Sequence, residues 1–227
     1  VEVDKLIDVK NLKKDEAVFN VLREYIKESK KIRFEGDGYG DAWEKEAKKR
    51  GLIHNKTTPD ALKVKVSKAV IDLYEEMDVM NRTEIEARYE IEMEEYTKRI
   101  QIESRVLADI SRNHVVPTAI IYQNTLLENT KNLKAIFGED YKNIAKEQIE
   151  LIMVISNHIT EINALVNKMT EERKKANTQP VIKSATMYCN KVKPYFEEIR
   201  YHCDKLETMV DDNLWPLTKY RELLFTR

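Results

Sequence analysis

The residues of this chain best suited to metal binding or proton transfer are its four histidines, His54, His114, His158 and His202. None stands in an H-x-x-x-H or E-x-x-H pattern, the spacings that place two ligands for zinc or a di-iron centre on one helix face. His202 precedes Cys203, but that pair would need ligands from another chain to hold a metal ion. We instead expect His202 to lie between packed helices with a carboxylate as its partner. Nothing in the sequence around His158 indicates a phosphotransfer histidine. We therefore predict no catalytic residue and no metal ligand.

Glycines concentrate in residues 34–40, FEGDGYG, which hold three of the five glycines of the chain. A calcium loop beginning at Asp37 would need glycine at its sixth position and an acid at its twelfth. The chain has Ala42 and Lys48 there, and no Gly-Lys-Ser/Thr of a phosphate-binding loop follows. We interpret the segment as a structural loop that connects two short extended pieces, and contact with a missing domain or ligand is the alternative.

Charged side chains are abundant but balanced, with 39 basic against 40 acidic residues among 227. The acidic run Glu90, Glu92, Glu94 and Glu95 alternates with apolar positions and is typical of a solvated helix face. The basic group at 27–33 is one local patch in a neutral chain. We therefore expect no nucleic-acid partner.

The sequence also predicts no membrane partner, because no run approaches the roughly 18 apolar residues of a membrane span. The first residues lack the features of a signal peptide, and the start at Val1 rather than Met is what we expect of a segment excised from a longer chain. Cys189 and Cys203 lie about 21 Å apart along one predicted helix, too far for a disulfide. Two reduced thiols are typical of the cytoplasm, which is the predicted location.

One very long helix, predicted from Arg82 to Phe137, organises the chain. Its apolar residues recur with a period of about 3.5 residues: Ile85, Tyr89, Met93, Tyr96, Ile100, Leu107 and Ile110. Asn81 as N-cap and Glu84 three residues later predict the start, and Gly138 predicts the end. Pro117 removes a backbone donor and crowds the carbonyl one turn back, so we expect a kink or break there. At about 1.5 Å per residue the helix would span roughly 84 Å, so later helices must fold back along it.

The fold class predicted from composition is all-α, because 5 glycines and 5 prolines leave little room for sheets joined by tight turns. Further helices are predicted at 15–30, 41–50, 58–77, 139–177 and about 181–212. The apolar stripes of the long helices face each other in an antiparallel, coiled-coil-like three-helix bundle over 99–212. We expect residues 1–98 to end a preceding domain with short helices, and residues 99–227 to be a helical extension.

The carboxyl-terminal tail, residues 211–227, carries large apolar side chains in a short span. Such a tail either packs back on its own chain or covers a partner, because Trp and Tyr suit both environments. The candidate interface residues are Trp215, Leu217, Tyr220, Leu223, Leu224 and Phe225.

Four blocks of the sequence resemble the carboxyl-terminal part of type III glutamine synthetase, the large form of that enzyme. They are KKIRFEGDGYGDAWEKEAKKRGL, TTPDAL, EIEARYEIEMEEYTKRIQIESRVLADISRNHVVPTAIIYQNT and YCNKVKPYFEEIRYHCDKLETMVDDNLWPLTKYRELLFTR. Together they are more specific than any short motif. Residues 59–96 are also similar to the closing helices of the catalytic domain in shorter glutamine synthetases, and residues from 99 onward resemble the extension of the large form.

The resemblance implies a parent enzyme that joins ammonia to glutamate through an ATP-derived γ-glutamyl phosphate, with ATP and Mg²⁺ as cofactors. None of the corresponding motifs lies in this chain, so the resemblance gives it no catalytic residue and no cofactor. The implied partners are the missing amino-terminal catalytic core of the same polypeptide and further subunits of a ring-based dodecamer. We therefore expect an inactive segment with a structural, oligomerisation role. The alternative is a free-standing helical scaffold that binds a partner helix without catalysis.

Overall fold

Helices make up the regular structure of residues 2–225, the part of the chain that the computed structural model describes; of Tyr220 and Arg221 it describes the backbone alone. The absence of strands from these residues confirms the all-α class. They form two compact units that divide between Lys56 and Thr57. The domain boundary predicted at residue 98 falls inside one helix of the second unit, and it stays a prediction.

The first unit contains α1 Glu2–Lys10, α2 Lys14–Glu28 and α3 Asp41–Lys49. The loop between α2 and α3 is held by a stack of three side chains. The ring centroids of Phe34 and Trp43 lie 4.5 Å apart, and the Arg50 guanidinium lies 5.9 Å from each of them. Arg50 also donates to the main-chain carbonyl of Arg33. These contacts fit the interpretation of residues 34–40 as a structural loop, although no strand flanks it in the described chain.

The second unit contains, in chain order, α4 Thr58–Lys65, α5 Lys68–Glu76, α6 Arg82–Ile110, α7 Val116–Phe137, α8 Tyr141–Ile144, α9 Lys146–Asn177, α10 Val181–Met187, α11 Pro194–Met209 and α12 Tyr220–Leu223. The helix predicted over 58–77 is therefore two helices. The chain turns at Ser67, whose backbone is extended (φ −68°, ψ 147°) and begins a new helix.

Side-chain caps mark the helix starts that the sequence predicted. Asn81 Oδ1 accepts from the backbone N–H of Glu84 at 3.0 Å, and Glu84 Oε2 accepts from the N–H of Asn81 at 2.9 Å. This reciprocal capping box satisfies two N–H groups that the first turn leaves without helical partners. At α4 the cap is Thr57, whose Oγ1 accepts from Asp60 N–H at 3.3 Å. The helix begins at Thr58, where the sequence predicted it, and its cap is the residue before.

Two wide π-helical turns lie just before the prolines of the long helices. Ser111–Val115 joins α6 to α7 before Pro117, and Tyr188–Val192 leads from α10 towards Pro194. In each case the residue before the proline donates its N–H to the carbonyl five residues back, not four. The wider turn accommodates the ring and the missing N–H without ending the helix. The disturbance expected at Pro117 is therefore a π-turn inside a continuous helical segment.

The core of the second unit lies between three antiparallel helical segments: α6 with α7, α9, and α10 with α11. Buried apolar side chains from all three meet there: Ile100, Val115, Ile155, Ile162, Val166, Met169, Tyr188, Val192, Ile199 and Leu206. Most of these positions belong to the predicted stripes. Ile144, inside the helix predicted over 139–177, lies outside this core, because α8 ends there and its side chain is exposed.

α9 has more apolar side chains than it buries in the core. Among residues 2–225, α9 is the one helix long and apolar enough by composition to cross a membrane. Its most apolar window of 18 residues has a mean hydropathy of 1.3, yet only 22% of that window is buried. Because a central helix of a soluble bundle meets the same criteria, this is weak evidence for a membrane span. It shows that α9 carries apolar surface which this chain leaves uncovered.

Candidate functional site

The predicted interface residues of the tail divide into an anchored group and an exposed group. Trp215 is half-buried and packs against the bundle core of its own chain. Lys219 holds it there: its ammonium lies 6.0 Å from the indole centroid, donates to the carbonyl of Glu207 at 3.2 Å and pairs with Asp212. The indole Nε1 is buried without a hydrogen-bond partner in the described structure.

The end of the tail is open to solvent. Leu223, Leu224 and Phe225 are 57%, 59% and 82% exposed, whereas Leu217 is 38% exposed. The side chain of Tyr220 lies outside the described residues. The structure thus separates one member of the predicted set, Trp215, from three that stand exposed in a row, and the interface role of all six stays a prediction.

A polar cluster ties the three helical segments together near the turn between α9 and α10. Asn177 Oδ1 accepts from Tyr188 OH at 2.6 Å and from Gln101 Nε2 at 3.1 Å. Tyr188 is fully buried, and burial raises the pKa of its phenol. Because one carbonyl oxygen receives donors from α6 and from the second π-turn, this cluster fixes the register of three segments. Its chemistry is structural, since it contains no carboxylate, thiol or imidazole.

The two cysteines are free, as their spacing predicted, and each has a polar neighbour. Cys203 Sγ lies 3.5 Å from Ser111 Oγ in the first π-turn. Burial is the main cause that raises the pKa of the Cys203 thiol, so it is a poor nucleophile near neutral pH. The Cys203 thiol is therefore not activated for chemistry. Burial is the main cause that raises the pKa of the Tyr96 phenol, and a hydrogen bond with Cys189 raises it further.

His158 of α9 and His202 of α11 meet in the seam between these helices. Their Nδ1 atoms lie 2.8 Å apart, so that one imidazole donates and the other accepts. Burial is the main cause that lowers the pKa of His158, and the charges of His202 and Lys205 lower it further. We expected a carboxylate partner for His202, but the structure gives it an imidazole. Spacing rules missed this pair because 44 residues separate its members.

An apolar face covers one side of the hairpin formed by α7 and α9. Gln123 Nε2 donates to Ser156 Oγ at 2.5 Å and to the carbonyl of Ile152 at 3.0 Å, which fixes how the two helices pair. Ile120 and Leu127 flank Gln123 at three and four residues along α7, and Met153 precedes Ser156 by three residues along α9. Residues at these spacings share one helix face.

We name this surface the hairpin face and define it by Ile120, Leu127 and Met153, with the half-buried Ile149 one turn before Met153. The first three are 42%, 48% and 54% exposed. The apolar residues of these helices were predicted to lie in one closed core, and this face was not predicted. The signal was present, since the apolar run from Ile149 to Ile155 is denser than one core-facing stripe needs.

Among residues 2–225, no group of three or more His, Cys, Asp or Glu side chains is arranged to hold a metal ion. The described residues instead form exposed apolar surfaces at three places: the tail, the hairpin face and α2. On α2, Phe19, Leu22, Tyr25 and Ile26 recur on one stripe and are 63%, 54%, 51% and 52% exposed. The helix predicted over 15–30 leaves this stripe exposed, and an exposed apolar stripe of this kind suits a binding surface.

A family model described as the glutamine synthetase C-terminal domain matches residues 17–134 of this chain. The chain is similar to a glutamine synthetase of Bacteroides fragilis (strain YCH46), with 46% identity over 227 residues. That alignment covers 99% of this chain and 31% of the relative.

The chain is also similar to a type-3 glutamine synthetase of Dictyostelium discoideum, with 29% identity over 93% of this chain and 29% of the relative. A glutamine synthetase of Butyrivibrio fibrisolvens shows 28% identity over 93% of this chain and 30% of the relative. The chain thus spans less than one third of the length of these curated relatives.

Proposed function

This chain belongs to the glutamine synthetase C-terminal domain family, as its sequence blocks predicted, and we propose that its parent enzyme joins ammonia to glutamate at the expense of ATP. The parent would use ATP and Mg²⁺ in the part of the polypeptide that precedes this segment. In this proposal the present chain is a structural segment, inactive by itself, that supports assembly of a cytoplasmic homo-oligomeric enzyme.

The proposal rests on one alignment: 99% of this chain aligns with the Bacteroides fragilis relative at 46% identity, yet the aligned part is only 31% of that relative. A relationship this extensive applies to the whole segment, and not to one motif. Phosphoryl transfer needs metal ions and phosphate-binding groups held in fixed positions. More than two thirds of the relative's length lies outside the aligned part and is available to supply them.

The gene region before Val1 gives the first test. We expect several hundred in-frame codons that encode a glutamine synthetase catalytic core, whereas a start codon close to Val1 would favour the free-standing scaffold instead. The second test compares the encoded full-length protein with the 227-residue chain in an assay of ATP-dependent glutamine formation. The full-length protein should be active and the 227-residue chain should not. Activity of the short chain, or inactivity of a folded full-length protein, would contradict the proposal.

The missing catalytic core has a candidate docking surface on α2. The exposed stripe of Phe19, Leu22, Tyr25 and Ile26 is too apolar to be stable in water along a helix of 15 residues. We propose that the catalytic core of the same polypeptide covers it. Covalent connection raises the effective concentration of the two surfaces, so a modest apolar area suffices for stable docking.

Leu22→Asp in the full-length protein tests this surface, and Ile53→Asp is the matched control because Ile53 is 78% exposed outside α2. We expect Leu22→Asp to lower the melting temperature and the activity of the full-length enzyme, while Ile53→Asp leaves both near the wild-type values. In the isolated 227-residue chain neither substitution should lower the melting temperature much. An equal loss of stability in the short chain would show that Leu22 packs within it.

The two parts of the tail would serve assembly differently. Trp215 anchors the tail to its own bundle, and Leu223, Leu224 and Phe225 supply apolar contact area for a neighbouring subunit. Fully burying large apolar side chains contributes roughly 1.5 to 3 kcal/mol each, so the three together can stabilise a subunit contact substantially.

Replacing Leu223, Leu224 and Phe225 by Ser in the full-length enzyme should yield smaller species in ultracentrifugation, with subunits that melt at the wild-type temperature. Trp215→Ala should instead lower the melting temperature, because it removes a side chain from the chain's own core. If the triple variant keeps the wild-type assembly, the tail is no subunit interface.

A further inference from the structure

We propose that the imidazoles of His158 and His202 bind one divalent transition-metal ion, Zn²⁺ or Ni²⁺, between α9 and α11. The carboxylates of Glu161 and Glu198 complete the site, and the ion joins the two helices where the imidazoles already meet. The site is separate from the Mg²⁺ and ATP of the parent enzyme, and it does not depend on the proposed function.

Each imidazole has a carboxylate one turn away on its own helix. Glu161 follows His158 by three residues on α9, and Glu198 precedes His202 by four residues on α11. Residues at these spacings share one helix face, and helical metal sites use the same spacings. Neither pair is an H-x-x-x-H or E-x-x-H pattern, and the two pairs become one candidate site only because the fold brings the helices together.

Both carboxylates lie towards the same end of the seam. The turn at residues 178–180 reverses the chain, so α9 and α11 run antiparallel. Where His158 is level with His202, Glu161 is displaced by about 4.5 Å along the bundle and Glu198 by about 6 Å in the same direction. The two histidines and the two glutamates are therefore neighbours across one seam.

The four side chains are available as ligands. Glu161 and Glu198 are exposed, and within the described part of the chain neither makes an ion pair or a hydrogen bond. His158 and His202 bond to each other and to no carboxylate. The four groups are not yet arranged around one point among residues 2–225. Because both glutamates are exposed, rotation of their side chains is free to bring the carboxylates to the imidazoles.

The distance between the two ring nitrogens is close to that of two ligands on one ion. The Nδ1 atoms of His158 and His202 lie 2.8 Å apart. Two nitrogens about 2.0 to 2.1 Å from an ion are about 2.9 Å apart at a right angle and about 3.3 Å apart at the tetrahedral angle. The seam therefore has to widen by about 0.5 Å at most.

Binding also requires both rings to turn. In the hydrogen bond the lone pair of one Nδ1 points to the other ring, whereas in the complex both lone pairs point to the ion. The ring that carries its proton on Nδ1 has to carry it on Nε2 instead, so a neutral pair binds the ion without releasing a proton. Both rings are only partly buried, which leaves room for this rotation.

The ligand set selects the class of metal. Imidazole nitrogen suits Zn²⁺ and Ni²⁺, whereas Mg²⁺ prefers oxygen ligands and keeps its water. Two carboxylates with two neutral imidazoles balance the charge of a divalent ion. Lys205 opposes the ion, because its positive charge already lowers the pKa of His158. It follows His202 by three residues, so it lies towards the other end of the seam from the carboxylates, and its ammonium lies 5.5 Å from the Tyr201 ring centroid.

Calorimetric titration of the 227-residue chain with Ni²⁺ at pH 7.5 tests the proposal. We expect one site per chain with a dissociation constant of about 100 µM or lower, and the same for Zn²⁺. Mg²⁺ should not bind in this range. Ni²⁺ should also raise the melting temperature, because a ligand that binds only the folded chain stabilises it.

Variants assign the ligands. His158→Gln and His202→Gln should each weaken Ni²⁺ binding at least about 10-fold, and so should the double variant Glu161→Gln with Glu198→Gln. His114→Gln is the matched control, since His114 is exposed in the first π-turn. Cys203→Ser is the second control, since the Cys203 thiol faces Ser111. Both controls should keep the wild-type dissociation constant within about threefold.

Circular dichroism and melting in the presence of a chelator check that each variant is folded. A wild type that binds neither Ni²⁺ nor Zn²⁺ at about 1 mM overturns the proposal. Wild-type affinity in either folded histidine variant or in the double glutamate variant also overturns it. Loss of binding in a control variant does the same, because the ion would then lie elsewhere. Glutamine formation is not a readout here, so failure of this inference is distinct from failure of the proposed function.

Discussion

The contact between His158 and His202 makes the stability of this bundle sensitive to mild acid, and His158→Gln removes that sensitivity. Glutamine keeps an amide that can hydrogen-bond to the partner imidazole but cannot be protonated in this range. The pKa of His158 is lowered by burial and by the positive charge of His202 and Lys205. The folded state therefore prefers the neutral imidazole more than the unfolded state does.

The sign of the pH dependence follows from this preference. Above the ordinary histidine pKa of about 6.5 the contribution of His158 to stability is fully present. As the pH falls below that value, the unfolded chain binds a proton that the folded chain does not, and this stability is lost. One histidine contributes at most about 1.4 kcal/mol per pH unit inside that window. The hydrogen bond between the two Nδ1 atoms, 2.8 Å apart, adds about 1 kcal/mol at neutral pH.

Urea denaturation at pH 7.5 and at steps down to pH 5 measures both effects. We expect His158→Gln to be within about 1 kcal/mol of the wild type at pH 7.5 and to lose less stability on acidification. Carboxylates also titrate near pH 5. The informative quantity is therefore the difference in the free energy of unfolding between the variant and the wild type at each pH. His114→Gln is the control, since His114 is exposed in the first π-turn and should keep the wild-type pH dependence. A wild type that gains stability on acidification, or a His158→Gln variant with the full wild-type slope, would refute the reasoning.

Four further substitutions, one of them a control, test the packing and are followed by urea denaturation. Tyr188→Phe removes the O–H that donates to Asn177 at 2.6 Å and should cost about 1 kcal/mol; no loss would show that the polar cluster does not stabilise the bundle. Ile162→Ala, at a fully buried position, should cost about 2 to 5 kcal/mol. Ile102→Ala, 61% exposed, should stay within about 0.5 kcal/mol, and equal costs would contradict the described core. Trp215→Phe removes a buried donor that has no acceptor and should be neutral or slightly stabilising, whereas a loss above about 1 kcal/mol would show that the indole N–H is bonded.

Local features of the fold could be predicted because their causes are local. The capping box at Asn81 and Glu84 depends on residues three apart, and the end at Gly138 depends on one backbone angle, φ +55°. The consequence of Pro117 was foreseen as a disturbance of the helix but not as a π-turn. Whether a proline breaks a helix or only widens one turn depends on whether packing holds the two flanking segments in line. Here Val115, at the end of the π-turn, and Val116, at the start of α7, are both buried in the core.

The candidate site depended on contacts between distant residues and was predicted only in part. The tail was recognised from its apolar content, but its division into an anchored Trp215 and an exposed Leu223 to Phe225 depends on the pairing of Lys219 with Asp212 and on the adjacent core. The hairpin face was missed, because which apolar side chains of α7 and α9 point outward depends on how the two helices pair.

The sequence alone determined the helix class, the long helical segments, most of their core-facing stripes and the family, because these depend on composition, on a periodicity of about 3.6 residues and on extended similarity. The tertiary structure alone decided which apolar residues remain uncovered and which polar side chains meet. His158 and His202 became partners through the register of α9 against α11, which side-chain packing along the whole seam sets. Register is a property of two surfaces together, so neither helix encodes it by itself.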